Sequence, residues 1–272
     1  MTRILFIGDI MGRTGRRATR AGLTALRAEG AFDLVVANAE NAAGGFGITE
    51  KITRELFTLG VDVLTGGNHS FDKKEALPLL ATEARLLRPD NLPPGVPGSG
   101  VWIGQARDGA RVGVVNLMGR VFMQGTDDPF RAADQLLEDL ADRTDLVLFD
   151  FHAEATSEKI AFGWHLDGRA AAVLGTHTHV QTADARVLPG GTAYITDVGM
   201  TGPHDSVIGV RREDAMTRFL LGLPARFQVA TGDPVFSAVS LELDAGTGRA
   251  LTITRHHERM TPTEDPSNEA DE

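Results

Sequence analysis

Residues 34–41 read LVVANAEN, an aliphatic run that stops on an acid and an amide. The run is typical of a buried strand, and its end leaves Glu40 and Asn41 at the start of the following loop. Two similar runs flank it: ILFIG ends before Asp9, and VDVLTGG ends before Asn68. Helix-compatible stretches at 15–29, 49–59 and 72–82 follow the three runs in turn. The sequence therefore predicts a βαβαβα start with parallel strands and right-handed crossovers.

The second half of the chain has a different order of predicted strands, turns and helices. RVGVVNL, DLVLFDF and AAVLGT continue the buried-strand pattern, but the strands after residue 179 are joined by turns such as DAGTGRA and by a helix-compatible stretch at 212–222. We expect more antiparallel sheet in this half. The loop RPDNLPPGVPGSG could be mistaken for a domain linker, but the ligand candidates on its two sides must meet in space. We predict an α/β fold with one domain, residues 1–260, and a disordered acidic tail, residues 261–272.

Composition narrows the class of protein. The 272 residues carry a net charge of −10, and five acids without a base lie in the tail, so the body is near −5. An acidic body argues against strong nonspecific nucleic-acid binding, which needs a basic face. The absence of cysteine excludes disulfides, a thiolate nucleophile and a cysteine zinc site, and it favours a cytoplasmic location. No signal peptide or long apolar stretch is visible, so we expect no membrane association.

Several side chains that bind metals come directly after the predicted strands. They are Asp9, Glu40, Asn41, Asn68, His152, His177 and His179. Because α/β sheets gather their sites at the carboxyl ends of strands, we expect these groups to converge. The mixture of carboxylate, amide oxygen and imidazole suits Fe(II), Mn or Zn better than Ca or Mg. Seven ligands are enough for two divalent ions that share the Glu40 carboxylate.

Each motif also has a purely structural interpretation. Asp9 alone is more often a cap than a ligand, and His69 after Asn68 can be a buried structural histidine. His177 and His179 are the strongest local signal, because side chains two apart on a strand share a face. GDIMGRTGRR lacks both nucleotide-loop fingerprints, so its arginines are interpreted as a solvated helix start, with contact to a substrate phosphate left open. No Gly-x-Ser-x-Gly elbow supports a serine hydrolase.

The order of these motifs resembles that of the calcineurin-like metallophosphoesterases. Three departures from the usual pattern stand out: Met11 replaces the first histidine, Glu40-Asn41 replaces the bridging aspartate block, and Ser70 follows His69 in place of an acid. With the strings NAENAAGG, GGNHSFD, HAEATSEK and ITDVGMTGP, these departures resemble the YmdB-like family of bacterial metallophosphoesterases. The resemblance covers nearly the whole chain except the tail.

The resemblance implies a four-layer α/β/β/α sandwich of two mixed sheets flanked by helices. It implies hydrolysis of small phosphodiesters, including 2′,3′-cyclic nucleotides, with His69 as the proton donor. It assigns one metal to Asp9, Glu40, Asn41 and His179, and the other to Glu40, Asn68, His152 and His177. Glu154, Asp184 and Asp197 are candidates for orienting the imidazoles.

Other functions stay open on the sequence alone. A phosphomonoesterase or a nuclease would use the same metals, and a nucleotide-binding regulator would bind without turnover. A homo-oligomer and a regulatory protein partner are likewise left open.

Overall fold

The computed structural model describes residues 1–123 and 125–261. The strands are β1 (Thr2–Ile7), β2 (Asp9–Ile10), β3 (Leu34–Asn38), β4 (Val63–Thr65), β5 (Val101–Gln105), β6 (Arg111–Met118), β7 (Leu146–His152), β8 (Ala172–Thr176), β9 (Arg186–Val187), β10 (Ala193–Ile195), β11 (Met200–Pro203), β12 (Pro234–Asp244) and β13 (Arg249–Arg259). The helices are α1 (Gly12–Glu29), α2 (Glu50–Thr58), α3 (Ala76–Thr82), α4 (Pro129–Leu140), α5 (Thr156–His165) and α6 (Arg212–Leu221).

The first sheet joins the two ends of the described chain. β1, β3 and β4 are parallel neighbours, as the βαβαβ pattern predicts. The other edge of β1 pairs antiparallel with β12, which carries β13 on its far side. The short strands β2 and β11 are parallel to each other, and β11 extends the sheet from the start of β12.

The second sheet is built from the middle of the chain. Its order is β5-β6-β7-β8-β10-β9, with β6, β7, β8 and β10 parallel and the edge strands β5 and β9 antiparallel. The proline-rich loop 88–100 leads from the first sheet into this one. Its conformation is fixed by Arg88, whose guanidinium donates hydrogen bonds to the carbonyls of Pro89, Val96 and Gly98 at 2.7 to 3.2 Å.

Three apolar cores show how the layers are stacked. Phe6 and Val36 of the first sheet share one core with Leu148 and Leu174 of the second, so these faces pack on each other. The opposite face of the first sheet packs on α1, α2 and α3. The opposite face of the second sheet packs on α4 and α5. The expected four-layer α/β/β/α sandwich is therefore confirmed.

α2 and α6 match the predicted stretches to within one residue, and α1 begins at Gly12, three residues before the predicted start. Strand β5 and helices α4 and α5 were not among the predicted elements. α3 begins at Ala76 and not near residue 72. Pro78 explains the difference. A proline lacks the N–H that a helix interior needs, and the later start places Pro78 in the first turn, where that N–H has no helical partner anyway. Residues 72–75 form turns instead. The predicted disordered tail lies outside the described residues after Thr261. No helix among the described residues is long and apolar enough to cross a membrane.

Candidate active site

The predicted site residues lie at or just after the ends of strands from both sheets, and these strand ends are close together. Asp9 begins β2, Glu40 and Asn41 follow β3, and Asn68 and His69 follow β4. From the second sheet, His152 is the last residue of β7, and His177 and His179 follow β8. The contacts below connect all eight residues, so the predicted convergence is observed. Metal binding by them stays a prediction.

The tightest part of the site surrounds the His152 ring. Its Nε2 atom lies 3.0 Å from the Asn68 side-chain oxygen, 3.2 Å from Glu40 Oε1 and 3.0 Å from His177 Nδ1. Ligand atoms of Glu40, His152 and His177 all lie within 4.8 Å of one another. This set corresponds to one of the two ligand groups that the resemblance implies.

The second part is more open and surrounds Asp9. Asp9 Oδ1 is 3.8 Å from His179 Nε2, and Asp9 Oδ2 accepts a hydrogen bond from the His177 backbone N–H at 3.3 Å. The Asn41 amide lies between the two parts, 3.3 Å from His179 Nε2 and 3.1 Å from Glu40 Oε1. Glu40 therefore sits at the junction, as the shared-carboxylate prediction requires.

The loop that carries His177 and His179 differs from the prediction. β8 ends at Thr176, and both histidines adopt left-handed backbone angles, φ 97° and φ 66°. They reach the site from a tight turn and not from one face of a strand, so the alternation argument was wrong. Asp197 holds this turn by accepting hydrogen bonds from the Thr178 amide and hydroxyl at 3.0 and 2.7 Å. The fully buried Lys159 ammonium pairs with the same carboxylate at 2.7 Å.

His152, His177 and His179 each have a fixed hydrogen-bond acceptor for the proton on the ring nitrogen that faces away from the centre of the site. His179 Nδ1 donates to the Ile208 carbonyl at 2.9 Å, and His177 Nε2 donates to Glu154 at 3.1 Å. Thr176 donates its hydroxyl proton to Asp150 at 2.6 Å, so His152 Nδ1 must donate to Thr176 at 2.9 Å. When the rings are neutral, the remaining nitrogen of each presents a lone pair to the centre. Metal-binding histidines are oriented in this way.

The packing of these atoms fits a divalent metal ion. Two ligand atoms at about 2.0 to 2.2 Å from one ion, with an angle of about 90° to 110° between them, lie roughly 2.8 to 3.6 Å from each other. The contacts around His152 Nε2 fall in this range. Asp9 Oδ1 is buried and accepts no hydrogen bond from any described group, so an ion would supply its missing partner. Gly67 leaves the space. A Cβ there would lie 2.3 Å from the His152 ring and 2.4 Å from Glu40.

The pKa values of the buried groups at the centre of the site also favour a bound metal ion. Burial raises the pKa of Asp9. Burial would also raise the pKa of Glu40, but the neighbouring His152 outweighs it and lowers the pKa to about 2. Burial would lower the pKa of His152, yet Glu40, Asp9 and Asp150 raise it to about 9. Burial and His152 lower the pKa of His177 to about 3. Without an ion, the carboxylates therefore hold a proton on His152, and a metal would take the place of that proton.

His69 lies at the rim of the centre. Its backbone N–H donates to Glu40 Oε2 at 2.9 Å, and its ring forms an edge-to-face contact with the Phe46 ring, with centroids 4.9 Å apart. Its Nδ1 donates to Asp72 at 2.7 Å. Asp72 therefore provides a carboxylate beside His69, whereas the usual superfamily pattern has its acid at the position of Ser70. Ser70 instead closes the turn by hydrogen bonds with the backbone of Gly67.

Comparison with known proteins identifies the family. A family model described as YmdB-like protein matches residues 5–256. The chain belongs to the YmdB-like family. It is 49% identical over 253 residues to a Bacillus subtilis protein named 2′,3′-cyclic-nucleotide 2′-phosphodiesterase, covering 93% of this chain and 96% of the relative.

Solved structures of other proteins agree with this assignment. A hypothetical protein from Thermus thermophilus matches with a TM-score of 0.90 and 47% identity, covering 96% of this chain and 100% of that one. A Mycoplasma pneumoniae protein described as a novel phosphatase matches with a TM-score of 0.89 and 34% identity, covering 95% and 93%. The resemblance found in the sequence is thus confirmed, and the chain is an enzyme of the metallophosphoesterase type. The Glu40–His152–His177 cluster supports its use of a divalent metal.

In this YmdB-like enzyme a cavity of about 540 Å³ opens beside the centre. Its polar lining residues are Asn68, His69, Asp72 and His177. Its apolar lining residues are Phe71, Leu92, Met118, Phe122 and Met123. Cavities of this size bind small ligands, and apolar side chains can hold a flat ring while polar groups act on its substituent.

Two supporting residues were not found by the sequence analysis. Asp150, within the strand sequence LFDFH, is buried and also accepts from Asn38 at 3.0 Å, and burial raises its pKa to about 6. Lys159 was overlooked because its string, TSEK, reads as an ordinary helix start. A charged residue inside an otherwise apolar strand was the available signal for Asp150. Of the suggested orienting acids, Glu154 and Asp197 touch the site loop, whereas Asp184 binds Thr182 and Thr196.

Proposed function

We propose that this YmdB-like enzyme hydrolyses small phosphodiesters, with 2′,3′-cyclic nucleotides as its substrate class. The observation that carries the proposal is a compact set of buried oxygen and imidazole ligands beside a cavity that is lined by both polar and apolar side chains. The name of the Bacillus subtilis relative supports the same substrate.

The proposed ligand sets follow the contacts of the site. Asp9, Glu40, Asn41 and His179 would hold one ion, and Glu40, Asn68, His152 and His177 the other. Fe or Mn suits this mixed oxygen and nitrogen set, and Zn is compatible with it. When bound, the two ions would lower the pKa of a water molecule and neutralise charge on the phosphoryl oxygens.

His69 is the proposed proton donor to the departing ribose oxygen. Asp72 fixes its tautomer, because a carboxylate can only accept the Nδ1 proton. The other ring nitrogen, Nε2, is then the one that exchanges a proton with the substrate. General acids in such positions typically contribute about 10² to 10⁴-fold in rate. Phe46 and Asp72 hold the ring from two sides, which favours a constant orientation.

The test compares three substrates at matched concentrations with added Mn²⁺. We expect ring opening of 2′,3′-cyclic AMP to be much faster than release of phosphate from AMP, and hydrolysis of duplex DNA to be weak. Product chromatography measures all three. Faster phosphate release from AMP would favour the phosphatase activity named for the Mycoplasma pneumoniae protein. Metal-dependent binding of the cyclic nucleotide without any product would favour a regulator.

A further inference from the structure

Phe122 is an exposed aromatic residue that lines the cavity beside the metal centre. It lies in the segment between β6 and α4, and it shares the cavity lining with Asn68, His69 and His177 of the site. Its side chain is 87% exposed. Most of this ring is therefore accessible to a ligand in the cavity.

The backbone of Phe122 is unusual for such a large residue. The Met123 N–H donates to the Arg120 carbonyl at 3.2 Å, which closes a turn with Phe122 at its third position. The φ angle of Phe122 is 63°, and a positive angle at this position of a turn favours glycine or asparagine. Formation of the turn thus does not explain a phenylalanine here. Large residues in this conformation cluster at ligand-binding sites, and His177 and His179 of the site share it.

Hydrogen bonds hold the segment around this turn in place. The buried Glu158 carboxylate, on α5, accepts from the backbone N–H groups of Arg120 and Val121 at 2.9 and 3.2 Å. The Thr126 hydroxyl donates to the Gly119 carbonyl at 3.1 Å, which joins the two sides of the segment. The aromatic ring is therefore presented on a backbone that is already ordered, and binding then costs less conformational entropy.

The other rings of the cavity lining have contacts within the protein. Phe71 packs against the apolar core between the first sheet and its helices. His69 contacts Phe46, and His177 belongs to the proposed metal cluster. Among the described lining residues, Phe122 therefore offers the most accessible aromatic ring.

We propose that Phe122 stacks on the nucleobase of the substrate and makes the enzyme prefer nucleoside cyclic phosphates to other cyclic phosphodiesters. The inference rests on the proposed function, because it assigns a residue to one part of the proposed substrate. The base is the flat, uncharged part of a cyclic nucleotide, so it suits an exposed phenylalanine ring, while the phosphate is left to the metal centre. Stacking on an aromatic side chain tolerates every base, because each base has a π-face.

The experiment compares 2′,3′-cyclic AMP with methyl riboside 2′,3′-cyclic phosphate, which carries a methoxy group in place of the base. In the full-length, metal-loaded protein, Phe122→Ala should raise KM for cyclic AMP by roughly 5- to 100-fold, the range that stacking of one base contributes. The value of kcat should stay unchanged, because Phe122 has no group that exchanges a proton. KM for the base-free ester should also stay unchanged. Phe122→Trp should keep the low KM for cyclic AMP.

Phe219→Ala is the matched control. Phe219 is also an exposed phenylalanine, at 77%, but it is not among the residues that line the cavity. This variant should behave like the unmodified protein. Phe122→Gly, which suits the left-handed backbone angle, should show the same rise in KM as Phe122→Ala without a fall in Tm. An unchanged KM for cyclic AMP in Phe122→Ala, or an equal rise for both esters, would overturn the proposal.

Titration calorimetry with 2′,3′-cyclic AMP separates this proposal from the proposed function. If the unmodified protein bound the nucleotide without hydrolysing it, the proposed function would fail. A Kd that rises at least about fivefold in Phe122→Ala would still support the stacking contact. An unchanged Kd would overturn it.

Discussion

Replacement of Asp72 tests whether His69 acts as a proton donor. In Asp72→Asn the amide oxygen can still accept from His69 Nδ1, but the negative charge is lost. The contact is 2.7 Å long, and the side chains of His69 and Asp72 are 29% and 43% exposed, so solvent screens much of their attraction. An exposed pair of this kind contributes about 1 kcal/mol. At 1.36 kcal/mol per tenfold change in rate, kcat should fall about fivefold.

The assay compares diesters that have a poor alkoxide leaving group with diesters that have a good nitrophenolate one. We expect His69→Ala to lower kcat by roughly 10²-fold or more on the poor leaving group, Asp72→Ala to lower it less, and metal content to stay normal. Good leaving groups should be affected little. Because Asp72 acts through His69, adding Asp72→Ala to His69→Ala should cause no further loss. Equal losses on both classes of ester, or a further loss in the double variant, would refute the proton-donor assignment.

Elemental analysis should find about two transition-metal ions per chain, and the Glu40→Ala protein should bind both ions poorly. A Glu40→Ala protein with full activity and both ions would contradict the prediction that the two ions share the Glu40 carboxylate. Gly67→Ala should lower metal content, because its Cβ would lie 2.3 Å from the buried His152 ring, and normal metal content would refute the need for glycine. Thr176→Val should lower the free energy of unfolding by about 1 to 3 kcal/mol in denaturant titrations, since Asp150 loses a donor, whereas Thr176→Ser should not. Deletion of residues 262–272 should leave kcat and Tm almost unchanged, and a large fall in either would mean that this segment contacts the body.

The sequence was sufficient for the buried strands, because runs such as LVVANAEN combine a regular pattern with an abrupt polar end. The half-buried edge strand β5 has no such pattern and was not predicted. The sequence was also sufficient to select the residues that converge, since strand ends of parallel sheets share one edge. It was not sufficient for the backbone of the His177–His179 turn. Left-handed angles at those residues depend on Asp197, which is distant in sequence. The Asp72 contact was overlooked for a related reason, because it depends on a turn where the sequence pattern indicated a helix.

The position of β12 next to β1 has a consequence for how the chain is made. On the ribosome, β1 emerges more than 200 residues before its antiparallel neighbour, Pro234–Asp244. Until then one edge of β1 is open, and an open apolar edge is a site for pairing with other chains. The Gly8 backbone N–H, directly before Asp9, donates to the Ser237 carbonyl of β12 at 3.0 Å, so the position of Asp9 depends on the docked C-terminal hairpin. Premature termination should therefore yield an aggregation-prone chain and not a partly active enzyme.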